Sequence, residues 1–177
     1  MQTEFEVKVL DIDVEKMIAK LNILGAKRIG EKFQKRFVYN FNPPKENSWI
    51  RLRTDGKRTT MAIKEIQNDN IDGTKELEID VGDFKKTNLF LEKLGYIAKA
   101  YQENRRISYI LDDVEIEIDF WPKIPPYLEI EARSVAKVEL MIKKLGFNRS
   151  QATSISVKKV YKKYGIDIYA IKEFKFN

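Results

Sequence analysis

The stretch EFEVKVL at residues 4–10 alternates charged and apolar side chains, and this alternation decides how the chain can fold. Its two sets of alternate positions are the charged Glu4, Glu6 and Lys8 and the apolar Phe5, Val7 and Val9. Because successive side chains of a β-strand point to opposite faces, the stretch predicts a strand with one apolar and one charged face. The charged face lies either against bulk water or inside a cavity that requires charge.

Seven further segments are also typical of β-strands. Five of them alternate cleanly, at residues 49–53, 59–66, 75–81, 114–120 and 127–131, and two longer ones alternate less cleanly, at residues 31–41 and 100–111. Polar connections at residues 55–58, 69–73 and 112–113 are typical of hairpin turns. This order of strands and turns predicts a mostly antiparallel sheet.

Four segments have apolar residues at helical spacing instead, at residues 13–25, 83–95, 134–146 and 154–165. The first three begin near Asp or Ser, which cap helix N-termini. They end in Gly, which can adopt the left-handed conformation just beyond a helix C-terminus. The chain therefore combines amphipathic helices with an antiparallel sheet.

The helices indicate where the charged strand faces point, because an amphipathic helix requires apolar surface to cover. If the apolar faces of the strands lined a closed barrel, the helices would have no partner. We therefore predict an α+β fold, in which residues 1–177 form a single domain. This is an antiparallel β-barrel of about eight strands with a charged lumen and helices packed on the outside. Such a lumen is costly to keep dry, so we expect it to bind a metal and a polyanion together.

The composition restricts the chemistry of the site. The chain has 177 residues, a formal net charge of +6, no Cys and no His. These absences exclude thiolate metal sites, imidazole bases and Ser-His or Cys-His nucleophiles, which leaves carboxylates, Lys, Arg, Tyr or a bound hard metal. No apolar run approaches membrane-spanning length, and the N-terminus lacks a signal-peptide core. We therefore expect a cytoplasmic protein without a membrane partner.

Two kinds of charged residue share the predicted lumen face. The Glu-x-Glu pairs and Asp119 supply the carboxylate oxygens that Mg²⁺ or Mn²⁺ prefers. The basic set, whose members would clamp phosphate oxygens, is Lys8, Arg51, Arg53, Lys64 and Arg105. Phosphoryl transfer depends mainly on positioning and neutralisation of charge, and it requires no histidine. The sequence therefore predicts phosphoryl-transfer chemistry with a bound metal.

Taken in order, these residues resemble the motifs of the CYTH superfamily, the triphosphate tunnel metalloenzymes. EFEVK at residues 4–8 matches the ExExK signature, and the resemblance covers nearly the whole chain. The other matching positions are the R-x-R of Arg51 and Arg53, Lys64, the central E-x-E of Glu76 and Glu78, Arg105, Asp119, and the closing E-x-E of Glu129 and Glu131. The resemblance implies an eight-stranded antiparallel tunnel that binds a triphosphate through its basic residues and a divalent metal through its carboxylates.

The resemblance also implies a role for each matched residue. The implied metal ligands are Glu4, Glu6, Asp119, Glu129 and Glu131, the implied phosphate clamps are Lys8, Arg51, Arg53, Lys64 and Arg105, and the implied catalytic residues are Glu6, Lys8 and Glu78. Glu78 would orient a clamp residue or assist a second metal. Because members include inorganic tripolyphosphatases, thiamine triphosphatases and class IV adenylate cyclases, the implied substrate is tripolyphosphate, ATP or thiamine triphosphate. The implied cofactor is Mg²⁺ or Mn²⁺.

The chain departs from the family pattern at two places. Many members have a Lys two residues before the later Arg, where this chain has Glu103. The bacterial class IV cyclases have a His-Phe element near the signature, and this chain has no His. The first difference weakens the predicted clamp, and the second argues against a close match to the cyclases.

Several alternatives stay open at this point. The activity is hydrolysis of a triphosphate, cyclisation of ATP to cyclic AMP and pyrophosphate, or non-catalytic binding of polyphosphate or a nucleotide. Nucleic acid is a weaker candidate because the chain has no RNP-like aromatic strand and no Gly-rich phosphate loop. A homodimer is neither predicted nor excluded.

Some residues also have alternative roles. Glu115 and Glu117 supply spare lumen charge or pair with neighbouring strands. Trp121 and Tyr127 fill a loop at the tunnel mouth or stack on a ligand. Lys158 to Lys163 form a solvated helix face or part of a gate.

Overall fold

The computed structural model, which describes residues 1–177, contains a closed barrel of eight strands, each antiparallel to its neighbours. In chain order the strands are β1 (Gln2–Val9), β2 (Lys27–Tyr39), β3 (Ser48–Thr54), β4 (Thr59–Ile66), β5 (Thr74–Asp80), β6 (Ala100–Leu111), β7 (Val114–Phe120) and β8 (Tyr127–Ala132). Around the barrel they follow the order β6-β2-β3-β4-β5-β1-β8-β7, and the pairing of β7 with β6 closes the ring. The predicted antiparallel barrel is confirmed, with β2 lying some residues towards the N-terminus of its predicted position.

Four helices accompany the barrel, and they are α1 (Val14–Ile23), α2 (Phe84–Lys93), α3 (Val135–Lys144) and α4 (Val157–Lys163). Each begins after a side chain that accepts a hydrogen bond from a backbone amide of the first turn, and these caps are Asp13, Asp83, Ser134 and Ser156. Each is followed by a glycine with positive φ, as the sequence predicts. No helix has the length and apolar character needed to cross a membrane.

The apolar faces of the strands point outward and meet the helices. In the largest core cluster, Val7 of β1 and Ile130 of β8 pack with Leu21 of α1 and Met141 of α3. On the other side of the barrel, α2 covers β2 and β3. Because the apolar faces are buried under helices, the charged faces enclose the lumen, and the predicted inversion of the barrel is confirmed.

One end of the barrel is closed by α4 and the segment that follows it, and we call this end the capped end. Val160 and Tyr161 of α4 pack with Trp121, Tyr127 and Phe174 in a second core cluster. The Tyr161 hydroxyl donates a hydrogen bond of 2.8 Å to the carbonyl of Pro122. Two short strands, β9 (Ala152–Thr153) and β10 (Glu173–Phe174), add to the barrel by pairing with β1 and β6.

Candidate functional site

The lumen is a cavity of about 1330 Å³ whose lining is mostly polar and charged. Its charge is divided between two arcs of the barrel, which we name by their sign. The basic wall consists of β6, β2, β3 and β4 and carries Arg106, Lys32, Arg36, Arg51, Arg53 and Lys64. The acidic wall consists of β5, β1, β8 and β7 and carries Glu76, Glu78, Glu4, Glu6, Glu129, Glu131, Glu115 and Glu117. Lys8 is the one base within the acidic wall.

The two predicted arginines of β3 reach across β4 to the acids of β5. Arg51 donates hydrogen bonds of 2.9 Å to Glu76 and 2.8 Å to Glu78, and Arg53 donates one of 3.1 Å to Glu78. The residue between Arg51 and Glu78 in the strand register is Ala62, whose small side chain leaves room for this contact. Both arginines therefore lie in the lumen with Glu78 between them, where it can orient them.

These contacts shift the acid–base properties of the pair. Burial lowers the pKa of the Arg53 guanidinium to about 10, and the nearby charges of Arg51 and Arg106 act in the same direction. Burial opposes ionisation of Glu78, but Arg53 and Arg51 hold its pKa below the usual value. Glu78 is therefore ionised at neutral pH and offsets part of the basic wall's charge.

Lys8 and Lys64 hold the acids of β1 and β8. The Lys8 side chain is 2% exposed, and its ammonium lies 2.8 Å from Glu6 and 3.2 Å from Glu129. Although burial opposes its charge, Glu6 and Glu129 raise the pKa of Lys8 above its usual range. Lys64, which projects from the basic wall, donates a hydrogen bond of 2.8 Å to Glu4. The ExExK segment thus places all three of its charged side chains in the lumen.

Glu131 lies between two other carboxylates of the acidic wall and forms no ion pair itself. Glu131 of β8 is in register with Glu6 of β1 on one side and with Glu115 of β7 on the other. Burial, together with the charges of Glu129, Glu4 and Glu6, raises the pKa of Glu131 to about 8. No three of the acids converge on one point as they stand. The excess of negative charge and the oxygen donors nevertheless fit a hard divalent cation.

The structure does not bring Arg105 to the lumen, which corrects its sequence-based assignment as a phosphate clamp. Arg105 lies on the outer face of β6, where its guanidinium is 2.6 Å from Glu31 and stacks 3.6 Å from the ring centre of Phe120. Its side chain is 41% exposed. The next residue, Arg106, points into the lumen instead, because alternate residues of a strand face opposite sides. The residue two positions before it is Asn104, not Glu103.

Arg106 is the centre of the acidic cluster on β7 and β8. Its Nε donates a hydrogen bond of 2.7 Å to Asp119, its Nη2 donates one of 2.8 Å to Glu129, and Glu117 completes the cluster. Burial raises the pKa of Glu117 to about 7, with Asp119 and Glu129 adding to the effect against the attraction of Arg106. Asp119 is fully buried, and both its oxygens accept hydrogen bonds from Arg106. The role of Asp119 as a metal ligand stays a prediction.

Sequence reasoning missed the lumen residues of β2 and an aromatic residue of β3. Arg36 is buried, donates to the amide oxygens of Gln34 and Asn104, and lies 4.6 Å from the ring centre of Trp121. Trp49, in register with Lys64, also lines the cavity and is only partly buried. The available signal was the position of Gln34 and Arg36 between Phe33 and Phe37, which Lys35 on the opposite face partly conceals.

At the capped end the structure decides between earlier alternatives for aromatic and basic residues. Trp121 and Tyr127 are 4% and 1% exposed and fill the core beneath α4, so neither presents an open ring face. Lys158 and Lys162 of α4 are exposed, and both border the cavity. This end of the tunnel is therefore basic.

Three comparisons place the chain among known proteins. The CYTH domain model matches residues 2–162. The putative adenylate cyclase MJ0240 of Methanocaldococcus jannaschii is 29% identical over 134 residues, which are 72% of this chain and 75% of that protein. A conserved hypothetical protein from Pyrococcus furiosus superposes with a TM-score of 0.76 at 23% identity, covering 88% of this chain and 98% of that one.

The putative adenylyl cyclase HpAC1 from Hippeastrum, which is described as having a dominant triphosphatase activity, superposes with a TM-score of 0.61 at 11% identity, covering 93% of this chain and 96% of that one. At such identities the two structural matches show the shared fold alone. The domain model, by contrast, spans nearly the whole barrel and α4. From this match, the chain belongs to the CYTH domain family.

Proposed function

We propose that this protein is a divalent-metal-dependent phosphohydrolase that binds a triphosphate in the barrel lumen. The observation that carries the proposal is the division of the lumen into a basic and an acidic wall. A polyanion can contact the basic wall while a cation on the acidic wall neutralises its remaining charge. The proposed phosphate-binding residues are Lys8, Arg51, Arg53 and Lys64, together with Arg106 in place of Arg105.

The proposed metal is Mg²⁺ or Mn²⁺, since the available donors are carboxylate oxygens. Glu4, Glu6, Glu129 and Glu131 would hold it, and Asp119 would act chiefly by orienting Arg106. When bound, the ion supplies charge neutralisation and polarisation of a phosphate oxygen or a water.

The chain's own groups do the rest of the work. Glu6 accepts from Lys8, which keeps the ammonium directed into the lumen and available to a phosphate oxygen. Glu78 fixes the guanidinium groups of Arg51 and Arg53 in one orientation. Without a metal, burial and the neighbouring acids raise the pKa of Glu131 to about 8, and a cation held by these acids would favour its ionised form. The nucleophile in this proposal is a water that attacks the terminal phosphorus.

The test is release of phosphate from tripolyphosphate, ATP and thiamine triphosphate, each with Mg²⁺ and with Mn²⁺. The Glu6→Gln variant should keep its fold and lose most of the activity. Glu31→Gln, which changes a carboxylate on the outer surface beside Arg105, is the matched control and should retain the wild-type rate. A wild-type protein that folds but turns over none of the three substrates would remove the proposal.

Cyclisation of ATP is the second candidate, and Trp49 favours it. Its partly exposed ring beside Lys64 could stack on a base while the phosphates lie on the basic wall. The Methanocaldococcus relative is also described as a putative adenylate cyclase. Chromatography of the products separates the candidates, because cyclic AMP and pyrophosphate indicate cyclisation, and ADP and phosphate indicate hydrolysis. Affinity for polyphosphate that falls steeply with salt, without any product, would instead indicate a binding protein.

A further inference from the structure

Four buried side-chain atoms of the protein have no hydrogen-bond partner, and all four belong to residues that line the lumen. They are Arg36 Nε, Arg51 Nε, Trp121 Nε1 and the hydroxyl of Tyr127. Leaving a buried polar group unpaired is costly, and each such group in a folded protein requires an explanation. Because all four residues line one cavity, a ligand that accepts hydrogen bonds there would supply the missing partners.

The positive charge of Arg36 indicates that this ligand is an anion. Arg36 is 8% exposed, and its hydrogen-bond acceptors are the neutral amide oxygens of Gln34 and Asn104 rather than carboxylates. In the strand register it is next to Arg53. Burial and the charges of Arg51 and Arg53 lower the pKa of Arg36 well below its usual value. Asp119 offsets part of the charge of Arg36, but Arg36 donates no hydrogen bond to a carboxylate.

The surrounding residues exclude a nucleobase at this position. The Arg36 guanidinium lies over the Trp121 ring, and Tyr161 meets that ring edge-on at 6.2 Å between centres. Tyr127 is almost completely buried in the same cluster, which Val160 and Phe174 help to close. The two aromatic residues can therefore offer their N–H and O–H groups but no ring face, so a compact oxyanion fits where an organic group does not.

We infer that Arg36, Trp121 and Tyr127 form an oxyanion subsite beneath the capped end, which receives a free terminal phosphate of the bound triphosphate. That the ligand is a triphosphate rests on the proposed function, whereas the subsite itself rests on the unpaired hydrogen-bond donors. We expect the subsite to exclude an esterified phosphate, because Trp121 and Tyr127 are packed in the core under α4. The subsite thus selects triphosphates with at least one free end.

The test measures binding rather than turnover. Isothermal titration calorimetry is carried out with tripolyphosphate and with diadenosine triphosphate, which is esterified at both ends, each in chelator and in Mg²⁺. The variants are Tyr127→Phe and Arg36→Met. The controls are Tyr109→Phe and Arg105→Met, which change a tyrosine in the outer core and an arginine on the outer surface.

Tyr127→Phe removes only an unpaired hydroxyl, so its melting temperature should match or exceed that of the wild type. We expect tripolyphosphate to bind about 10-fold more weakly to Tyr127→Phe and at least about 10-fold more weakly to Arg36→Met. The controls should bind it normally. Diadenosine triphosphate should bind the wild type weakly and be insensitive to both substitutions.

The subsite and the proposed function can be refuted separately. If the wild type binds and hydrolyses tripolyphosphate but both variants keep its affinity, the subsite is refuted and the proposed function stands. If binding depends on Arg36 and Tyr127 but nothing is hydrolysed, the proposed function fails and the subsite stands. Diadenosine triphosphate that binds as tightly as tripolyphosphate, and weakens equally in both variants, would refute selection of a free end. A wild type that binds neither ligand in chelator or Mg²⁺ would overturn both proposals.

Discussion

Two adjacent arginines of β6 provide a sharp test of the barrel's register. Arg106 is buried among Glu117, Asp119 and Glu129, whereas Arg105 is exposed and pairs with one surface acid. Replacing Arg106 with Met removes the base that contacts all three acids and leaves Lys8, beside Glu129, as the remaining base of the cluster. The same replacement at Arg105 removes one surface ion pair and its stacking on a ring.

The expected costs differ by several kcal/mol. Removing one partner of a buried charge network costs about 3–5 kcal/mol, because the remaining charges are left in a poorly solvated place. Because Lys8 still neutralises part of Glu129, we expect Arg106→Met to lower the free energy of unfolding by about 3 kcal/mol. A surface ion pair contributes about 0–1 kcal/mol, which sets the expected loss for Arg105→Met.

The losses of stability in Arg106→Met and Arg105→Met can be measured without any ligand by urea unfolding, with circular dichroism as the readout. In the wild type, burial raises the pKa of Glu117 to about 7, and loss of the Arg106 charge should raise it further. A raised carboxyl pKa means that the folded state binds a proton more tightly than the unfolded chain. The resulting stability is therefore present at low pH and is lost as the pH rises through the folded-state pKa. The deficit of Arg106→Met should accordingly shrink between pH 7 and pH 5.

Equal losses for the two methionine variants would refute the register of β6 and, with it, the assignment of the lumen face. If Arg106→Met does not fold at neutral pH, Arg106→Lys keeps the charge but loses the bidentate contact with Asp119. The Arg106→Lys variant should therefore fold, with a smaller loss of free energy of unfolding than complete removal of the charge would cause. An Arg106→Met variant as stable as the wild type at both pH values would also refute the reasoning.

Three further predictions concern the walls and the capped end. Glu131→Gln should raise the free energy of unfolding of the metal-free protein by about 1–3 kcal/mol above pH 8, and have little effect at pH 5, because it removes an ionisation that its neighbours oppose; urea titrations at the two pH values check this. Replacing both Lys158 and Lys162 with Ser should lower kcat/KM for tripolyphosphate and flatten its dependence on salt, which initial rates at several ionic strengths measure. Ala62→Leu should fill the space beside Arg51, move its guanidinium from its position in the lumen and weaken tripolyphosphate binding about 10-fold in calorimetry, and unchanged affinity would contradict the role given to this small side chain.

The barrel and most of the lumen residues could be predicted from the sequence, because both depend on the two-residue period of β-strands. Glu4, Glu6 and Lys8 oppose apolar neighbours so consistently that their shared face could be predicted, and the helices fixed which face is inside. The same period of two residues also indicates that the assignment of Arg105 to the lumen face is wrong. Arg105 lies on the same face of β6 as Ile107 and Tyr109, which belong to the core outside the barrel. The comparison with the family motif nevertheless selected Arg105, the first of two adjacent arginines.

Other parts of the site depend on contacts between distant segments, which periodicity does not report. Arg36 becomes a lumen residue of interest only because Trp121 and the cap formed by α4 lie over it. In β2, bases occur on both faces, and the register shifts between Arg28 and Gly30, so its alternation is weak evidence of orientation. Which acid meets which base is likewise set by barrel closure rather than by local sequence.

The pairing of the two walls has a consequence for binding. Arg51, Arg53 and Lys64 all pair with acids of the acidic wall, so a triphosphate that binds them through the same N–H groups displaces Glu78, Glu76 or Glu4. The displaced carboxylates would add to a region in which Glu131 already resists ionisation, and a divalent cation removes that cost. Because coupling between two ligands is reciprocal, the cation and the triphosphate should each favour binding of the other. The charged lumen thus explains why neither ligand alone is expected to bind at full strength.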